Sequence, residues 1–108
     1  MFAKIAEDKK AEEIVVLDVS GLTFITDFFV ICSGFNSRQL QSIMDEVELK
    51  MEGCGIRRNG VEGYTEAKWI LIDYGDVVLH LFCQETRHFY DLELLWGDAP
   101  KIPWKTDI

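Results

Sequence analysis

Residues 61–100 read VEGYTEAKWILIDYGDVVLHLFCQETRHFYDLELLWGDAP. This stretch contains two apolar runs, residues 68–73 and 77–83, on either side of the short turn Tyr74-Gly75-Asp76. Runs of this kind favour strands, and so short a connection makes two strands antiparallel neighbours. The aromatic-rich residues 86–96 follow, and they predict one or two short helical pieces whose inward side chains are Phe89, Leu92 and Trp96.

Further strands precede this hairpin. Residues 14–19 are rich in β-branched side chains, and residues 28–32 are continuously apolar, as expected of a strand that is covered on both faces. Residues 56–58 form a candidate short edge strand. The N-terminal residues 1–11 favour a short helix, whereas two prolines near the C-terminus predict that regular structure stops and that the last residues form a loose tail.

The clearest helix of the chain lies upstream of the hairpin. Either Asn36 or Ser37 is suited to cap its start, and Gln39 lies three residues after Asn36 in a variant of the capping box. Gly53 and Gly55 supply the permissive backbone on which helices commonly end. The apolar residues that recur on one face of this helix are Leu40, Ile43, Met44, Val47 and Met51.

Together these elements predict an α/β fold of the α+β-like kind, a mixed sheet of about five strands with helices packed on it. The hairpin supplies an antiparallel pair, and the long helix leaves room for a crossover between residues 28–32 and a later strand. A chain of 108 residues supports one compact domain, and it contains no internal repeat or linker. We therefore expect residues 1–108 to form a single domain.

Composition and charge narrow the classes of function. Apolar residues make up 48% of the chain and aromatic residues 12%, which is enough for a core. No apolar run approaches the roughly 20 residues needed to cross a bilayer, and the start of the chain lacks signal-peptide or transit-peptide features. We therefore expect a cytoplasmic protein with no membrane partner. The net charge of −8 argues against a nucleic-acid backbone as the main ligand and allows a basic protein partner.

The cysteines and histidines do not form a recognisable site. Cys32 and Cys83 lie in apolar runs, Cys54 lies between two glycines, and no Cys-x-x-Cys spacing suggests zinc or a disulfide framework. His80 lies within an apolar strand and is interpreted as a structural, hydrogen-bonded residue, whereas His88 is expected to be exposed. Neither histidine has a nucleophile or carboxylate at a fixed spacing, so we predict no metal, no cofactor and no catalytic residue.

Strand alternation singles out Trp69. Side chains alternate between the two faces of a strand, so Ile70 and Ile72 share one face. The other face carries Trp69, Leu71 and Asp73. If the isoleucines face the helices, a tryptophan and a leucine lie beside an acid on the opposite side, and Trp is favoured at binding hot spots because it buries a large rigid area. The alternative is that a second helix covers this face and that Trp69 belongs to the core.

A second candidate site lies where residues 28–32 lead into the long helix. Ser33-Gly34 followed by Ser37-Arg38 at a helix start could cradle an anion, because free backbone amides favour negative charge there. The pattern lacks the lysine of a Walker motif and the glycine spacing of a dinucleotide fingerprint. Together with the Asp73/Asp76 pair, it defines the alternative function, a nucleotide-binding or nucleotidyltransferase-type enzyme.

A series of short motifs runs along residues 11–100. They are Asp18-Val19-Ser20-Gly21, Asp27 with the apolar strand after it, Ile31-Cys32-Ser33-Gly34 with Ser37-Arg38, Gly60-Val61-Glu62-Gly63, Trp69, Asp73-Tyr74-Gly75-Asp76-Val77, His80, and Tyr90-Asp91-Leu92-Glu93 with Leu95-Trp96. No single tetrapeptide is specific, but their joint order and spacing is. In that order and spacing the chain closely resembles the ribosomal silencing factor family, also called Iojap-like.

The resemblance implies a core similar to that of nucleotidyltransferases but without their catalytic acids. In those enzymes a Gly-Ser turn precedes a helix and paired acids hold magnesium, whereas here the order is Ser33-Gly34 and no Asp-x-Asp follows on the next strand. The resemblance therefore implies a binding protein and not an enzyme. It further implies a translational repressor that binds the large ribosomal subunit through a basic ribosomal protein at the subunit-joining face. There it would block joining of the small subunit under nutrient limitation, without direct sequence-specific contact to nucleic acid.

By the same resemblance, family members make this contact with the sheet region around the tryptophan equivalent to Trp69. The expected partner-binding residues are Trp69 and Leu71 as apolar anchors, Glu62, Asp73 and Asp76 as partners of basic side chains, and Tyr64. The local charge agrees with a basic partner, since residues 59–84 contain four acids and one base, Lys68. Related proteins also tend to pair, so a homodimer that uses the same sheet face is a third hypothesis.

Overall fold

The computed structural model describes residues 2–104 and, within that range, every side chain except those at positions 89, 90, 93 and 94. Over these residues the chain forms five strands and four helices around one sheet. In chain order the elements are α1 (Phe2–Asp8), β1 (Glu12–Asp18), β2 (Phe28–Gly34), α2 (Ser37–Gly53), β3 (Gly60–Glu62), β4 (Trp69–Asp73), β5 (Val77–Cys83), α3 (Gln84–Tyr90) and α4 (Leu92–Leu95).

The strands lie in the order β1-β2-β5-β4-β3. β2 and β5 pair in parallel, whereas β1–β2, β5–β4 and β4–β3 pair antiparallel. The predicted α+β-like arrangement, a mixed sheet of five strands with helices packed on it, is therefore confirmed, as is the β4–β5 hairpin. Parallel pairing of β2 with β5 needs a crossover, and α2 lies in the connection that makes it.

α2 begins at the cap that the sequence indicates. The Asn36 Oδ1 atom accepts a hydrogen bond from the backbone N–H of Gln39 at 2.8 Å. The Gln39 side chain departs from a capping box, because its Oε1 atom accepts from the N–H of Phe35, the residue before the cap, at 2.7 Å. All five residues of the predicted inner face are buried. Across the described range, no helix combines the length and the apolar character needed to cross a bilayer.

The sheet separates two apolar layers. On one face α1 and α2 pack against a buried set that includes Val30, Ile70, Ile72, Leu79 and Leu81. A smaller cluster on the opposite face includes Leu17, Phe29, Ile31, Val78 and Phe82. β4 therefore turns its isoleucines to the helix-covered face, as strand alternation predicted, and its remaining side chains to the other face.

The short edge strand is β3 at Gly60–Glu62, and not residues 56–58 as predicted. The Ile56 backbone N–H donates to the Met51 carbonyl, so this segment completes the end of α2 instead of joining the sheet. Val61 lies opposite Ile72 in the register and packs on the helix-side core, which anchors β3 to the β4 edge. A strand of three residues is too short to leave a clear alternation in the sequence.

The sequence predicts that the last residues form a loose tail; residues 100–104 instead contact β1, and residues 105–108 lie outside the described range. The Ile102 N–H donates to the Val16 carbonyl at 2.8 Å, and the Trp104 Nε1–H donates to the Ile14 carbonyl at 3.2 Å. β1 is the outer strand of the sheet, and an open edge exposes backbone groups that favour incorrect pairing. The C-terminal segment covers that edge as far as the described range extends.

Candidate functional site

The Trp69 face is the side of the sheet away from α1 and α2, at its β4 edge. Strand register brings its members together, because directly paired residues of antiparallel strands point to the same side of a sheet. On that rule the Trp69 face contains three pairs from β4 and β5, which are Trp69 with Phe82, Leu71 with His80, and Asp73 with Val78. From β3 it contains Glu62, which pairs with Leu71.

Trp69 is partly exposed and firmly held. Its ring stacks on Phe82 with the centroids 4.9 Å apart and the planes 28° from parallel. Its indole Nε1–H donates a hydrogen bond to the Nδ1 atom of His80 over 3.2 Å. A side chain already held in one position loses little conformational entropy when a partner covers it, so this indole is suited to be an anchor.

His80 is the buried support of this indole. The residue is 5% exposed, and the Phe29 ring meets the imidazole edge-on with the centroids 4.8 Å apart. Because Nδ1 accepts the hydrogen bond from Trp69, the proton of the neutral imidazole lies on Nε2. Burial lowers the pKa of His80 from 6.5 to about 4, so the ring is uncharged at neutral pH. The interpretation of His80 as a structural, hydrogen-bonded residue is confirmed at Nδ1, whereas Nε2 is buried without a partner among the described residues. His88 is exposed as expected.

The burial of His80 predicts a fold that loses stability in mild acid. In the unfolded chain the imidazole takes up a proton near pH 6.5, whereas the folded protein resists protonation until about pH 4. The unfolded state therefore binds more protons in this window, and the free energy of unfolding should fall as the pH drops from 6.5 to 4. Urea unfolding at several pH values should show a smaller slope for His80→Leu, which lacks the titrating group.

The control for this prediction is His88→Gln, which removes the exposed histidine and should keep the wild-type slope. Identical slopes for the wild type and His80→Leu would contradict it.

The C-terminal helical segment covers the other part of this side of the sheet. Leu92 and Trp96 pack against the apolar cluster there, and the Trp96 ring meets Phe29 edge-on with the centroids 5.2 Å apart. The predicted inward orientation of Leu92 and Trp96 is confirmed. The side chain of Phe89, predicted to point inward as well, is not among the side chains that the structure describes. The face is thus neither fully open nor sealed: the α4 segment covers the β2 region and leaves the β4 side chains partly exposed.

Carboxylates lie along the open edge of the Trp69 face. Glu62 is exposed on β3, and Asp73 is partly exposed at the end of β4. The Asp73 Oδ1 atom accepts from the Gly75 N–H at 2.7 Å, which stabilises the hairpin turn. Asp76 is exposed in the same turn, and its carbonyl accepts from the Phe28 N–H at 3.0 Å. Two predicted acids therefore belong to the face, and the third lies at its hairpin end.

Tyr64 does not join this group. Its hydroxyl donates to the Asp45 carboxylate at 3.0 Å, and its carbonyl accepts from the Gln41 side chain at 2.9 Å. Both partners lie on α2, so Tyr64 is tied to the helix-covered side of the molecule; the hydrogen bond to Asp45 also raises the pKa of the phenol. Gly63, with a φ of 81°, turns the chain between Glu62 and Tyr64, and sequence proximity alone did not reveal that turn.

An exposed apolar loop, residues 20–27, adjoins the hairpin end of the Trp69 face. Phe24 and Ile25 near its tip are almost wholly exposed. The Asp27 N–H donates to the Asp76 carbonyl at 3.1 Å, so the base of the loop is tied to the hairpin turn. Local sequence patterns do not single out this stretch, because apolar character by itself does not distinguish an exposed loop from a buried one.

The residues of the alternative nucleotide site do not come together. Ser33 is fully buried, and its hydroxyl accepts a hydrogen bond from Arg87 at 2.9 Å. In the register Ser33 pairs with Phe82, which pairs with Trp69 at the start of β4. Asp73 lies at the other end of β4, so Ser33 and Asp73 are separated by on the order of 13 Å along the strand direction. Residues 2–104 contain no group of three or more His, Cys, Asp or Glu side chains placed to hold a metal ion. The geometry therefore gives the enzyme alternative no assembled site, and the likeness to nucleotidyltransferases stays a prediction.

The cysteines are free thiols. Cys32 is fully buried in the helix-side core, and burial raises its pKa to about 12, so the thiol stays protonated. Cys83 is partly buried and donates to the Ala67 carbonyl. Both thiols therefore have structural roles, while Cys54 is exposed at the end of α2.

Known proteins of three kinds are similar to this chain. The Ribosomal silencing factor RsfS of Halalkalibacterium halodurans is 47% identical over 96 residues, which are 89% of this chain and 82% of that protein. A crystal structure from Bacillus halodurans has a TM-score of 0.83 and 40% identity, covering 95% of this chain and 94% of the other. Mitochondrial assembly of ribosomal large subunit protein 1 of Mus musculus is 31% identical over 99 residues, 89% of this chain and 43% of that protein. Since the family model "Ribosomal silencing factor during starvation" also matches residues 1–108, the resemblance in the motifs is confirmed and the chain belongs to the ribosomal silencing factor family.

Proposed function

We propose that residues 1–108 act as one domain that represses translation in the cytoplasm by binding the large ribosomal subunit. The domain binds a basic ribosomal protein at the subunit-joining face and blocks joining of the small subunit when nutrients are limiting. Covalent chemistry takes no part in this function. The observation that carries the proposal is the Trp69 face, where a held and partly exposed indole lies beside a leucine and carboxylates.

The Trp69 face has the composition of a protein-binding hot spot. Trp69 and Leu71 supply apolar area on a strand whose backbone is paired on both sides. A few aromatic anchors usually carry most of the binding energy of an interface, while complementary charge speeds and orients docking. The carboxylates along the open edge of the Trp69 face therefore favour a partner with lysines and arginines around an apolar patch, and ribosomal proteins are typically basic.

The names of the relatives support a ribosomal target. The family description and the Halalkalibacterium protein are both named for ribosomal silencing, and the mouse protein is named for assembly of the ribosomal large subunit. These names refer to regulation and assembly and not to a catalysed reaction.

The size of the domain suits steric exclusion. Its principal extents are 34 × 33 × 32 Å, and its strands and helices are packed on both faces of the sheet. A body of this width on the joining face keeps the small subunit away from its contacts. Repression then requires occupancy alone, so inhibition of joining should follow binding at every concentration.

A subunit-joining experiment tests the proposal. Purified protein added to free large subunits before small subunits should lower the yield of joined ribosomes on sucrose gradients. Half of the inhibition is expected at the concentration that fills half of the large subunits, and binding should weaken as salt rises because exposed charges are screened. Undiminished joining at full occupancy would overturn the steric mechanism, and a lack of binding to large subunits would overturn the proposed partner.

The homodimer hypothesis predicts a different result. If the Trp69 face served only self-association, light scattering would give a dimer for the wild type and a monomer for Trp69→Ala. Neither protein would then sediment with large subunits. The two measurements together separate self-association from ribosome binding.

A further inference from the structure

We propose that His80 is a positioning residue of the Trp69 face: it accepts the indole N–H of Trp69, so that a partner contacts Trp69 through the ring. The inference rests on the proposed function, because it concerns the surface that binds the ribosomal partner. It names the chemistry that this surface accepts, a cationic or aliphatic group that packs on an indole ring. It excludes a partner that needs the indole as a hydrogen-bond donor.

The hydrogen-bonding capacity of Trp69 is used inside the protein. An indole has a single donor, Nε1–H, and no acceptor. That donor lies 3.2 Å from the Nδ1 atom of His80. His80 pairs with Leu71, whereas Trp69 pairs with Phe82, so His80 and Trp69 are diagonal neighbours across the hairpin. Diagonal neighbours on paired strands are within reach of aromatic side chains. The bond orients the indole along the sheet and leaves ring contacts as the means of binding.

His80 is itself fixed in place. Its imidazole lies nearly parallel to the Phe82 ring, with the centroids 6.2 Å apart and the planes at 12°, and the Phe29 ring meets it edge-on. Among the described residues its Nε2 atom is buried without a hydrogen-bond partner. A buried polar group without a partner costs free energy, and an apolar residue of similar shape removes that cost while it loses the hydrogen bond to Trp69. The two effects oppose each other, so His80→Leu should leave the stability close to that of the wild type. The acceptor that His80 offers to Trp69 therefore explains a histidine here better than stability does.

The charge around the indole selects a cation as the partner group. Glu62 and Asp73 share the face with Trp69, and Asp76 lies at its hairpin end. A lysine or arginine within about 6 Å of an aromatic centroid is attracted by the negative face of the ring. The partner side chain that fits is therefore an arginine or lysine that stacks on the indole and directs its charge to Glu62, the nearest of these acids in the register. Asp73 lies on the order of 13 Å from Trp69 along the strand and would meet a second basic side chain of the partner.

Two substitutions of similar shape separate the acceptor from the packing. In His80→Asn the side-chain Oδ1 atom takes the place of Nδ1 and can accept from the indole, whereas His80→Leu has no acceptor. The readout is the indole Nε1–H signal in proton–nitrogen correlation spectra, assigned to Trp69 by its absence in Trp69→Phe. This signal should stay near its wild-type position in His80→Asn. In His80→Leu it should shift and exchange faster with water.

Binding to purified large subunits supplies the second readout. Affinity should fall about fivefold in His80→Leu, the equivalent of one net hydrogen bond, and stay close to wild type in His80→Asn. His80→Leu should resist urea at least as well as His80→Asn, so a merely structural role would not produce this order of affinities. In a Trp69→Phe background, His80→Leu should cause no further loss, because the donor is already absent.

Wild-type affinity in His80→Leu, or an unchanged indole signal, would overturn the positioning role. An equally large further loss in the Trp69→Phe background would also overturn it, since His80 would then act independently of Trp69. Absence of binding by the wild type would instead overturn the proposed function and, with it, the partner chemistry inferred here. The indole signal distinguishes these cases, because it reports the hydrogen bond without any ribosome present.

Discussion

Replacing Trp69 with alanine is expected to weaken binding to the large ribosomal subunit about 30-fold while the protein stays folded. Truncating a central tryptophan at a hot spot typically costs at least about 2 kcal/mol, which corresponds to this change in affinity. The substitution removes the ring that stacks on Phe82 and is held by His80, and so removes the rigid part of the Trp69 face. Co-sedimentation with free large subunits at fixed salt measures the change.

The control is Leu49→Ala, which removes a more exposed apolar side chain from α2 on the other side of the sheet. It should bind large subunits with wild-type affinity. Far-UV circular dichroism should show both variants folded at the assay temperature. A folded Trp69→Ala protein with undiminished binding would remove the Trp69 face from the proposed interface, and a loss in Leu49→Ala would point to the helix side instead.

Replacing Gly63 with alanine is expected to destabilise the fold by about 2–3 kcal/mol. Gly63 has a φ of 81°, which side chains other than glycine rarely adopt, and an added Cβ would overlap the backbone carbonyl oxygen of Trp69. Because the obstacle is backbone, relief requires β4 and the turn after β3 to move apart. Urea unfolding or a drop in melting temperature of about 10–20 °C would register this cost.

Gly60→Ala is the control for this prediction, since it changes a glycine three positions earlier, at the start of β3. A Cβ at Gly60 would meet no atom within 4 Å, and its φ is not in the left-handed region. This variant should unfold close to the wild-type urea concentration. Equal stabilities of the two alanine variants would show that the close approach of Gly63 to Trp69 does not constrain the fold.

Gly63→Ala should also affect binding, because the carbonyl that the new methyl group displaces belongs to Trp69. Shifting that peptide moves the indole relative to His80 and loosens the hydrogen bond between them. In Gly63→Ala the loss of binding should therefore accompany a loss of stability. In His80→Leu binding should fall without a loss of stability.

Local patterns were sufficient for most of the fold. The apolar period of α2 and its Asn36 cap predicted the helix, and the turn at residues 74–76 predicted the β4–β5 hairpin. These signals are strong because each depends on neighbours within a few residues. The alternation in residues 69–73 also assigned the faces of β4 correctly.

Long-range contacts decided the rest. β3 lies at Gly60–Glu62 because Val61 packs opposite Ile72, and residues 100–104 are ordered because β1 offers an unpaired edge. Neither partner is near in the chain, so neither segment carries a local signal. The family resemblance grouped Tyr64 with Trp69, yet its hydroxyl is bonded to Asp45 of α2 on the helix-covered side.

The sequence by itself determined that a tryptophan, a leucine and several acids come to one side of a hairpin strand, because alternation and turn chemistry act within a few residues. It also carried the motifs of the family. Only the tertiary structure decided that the Trp69 donor is taken by His80, because that contact joins two side chains on different strands. The turn fixes which residues of the two strands are paired. Which of the neighbouring side chains then form a hydrogen bond depends on how they pack in the folded protein.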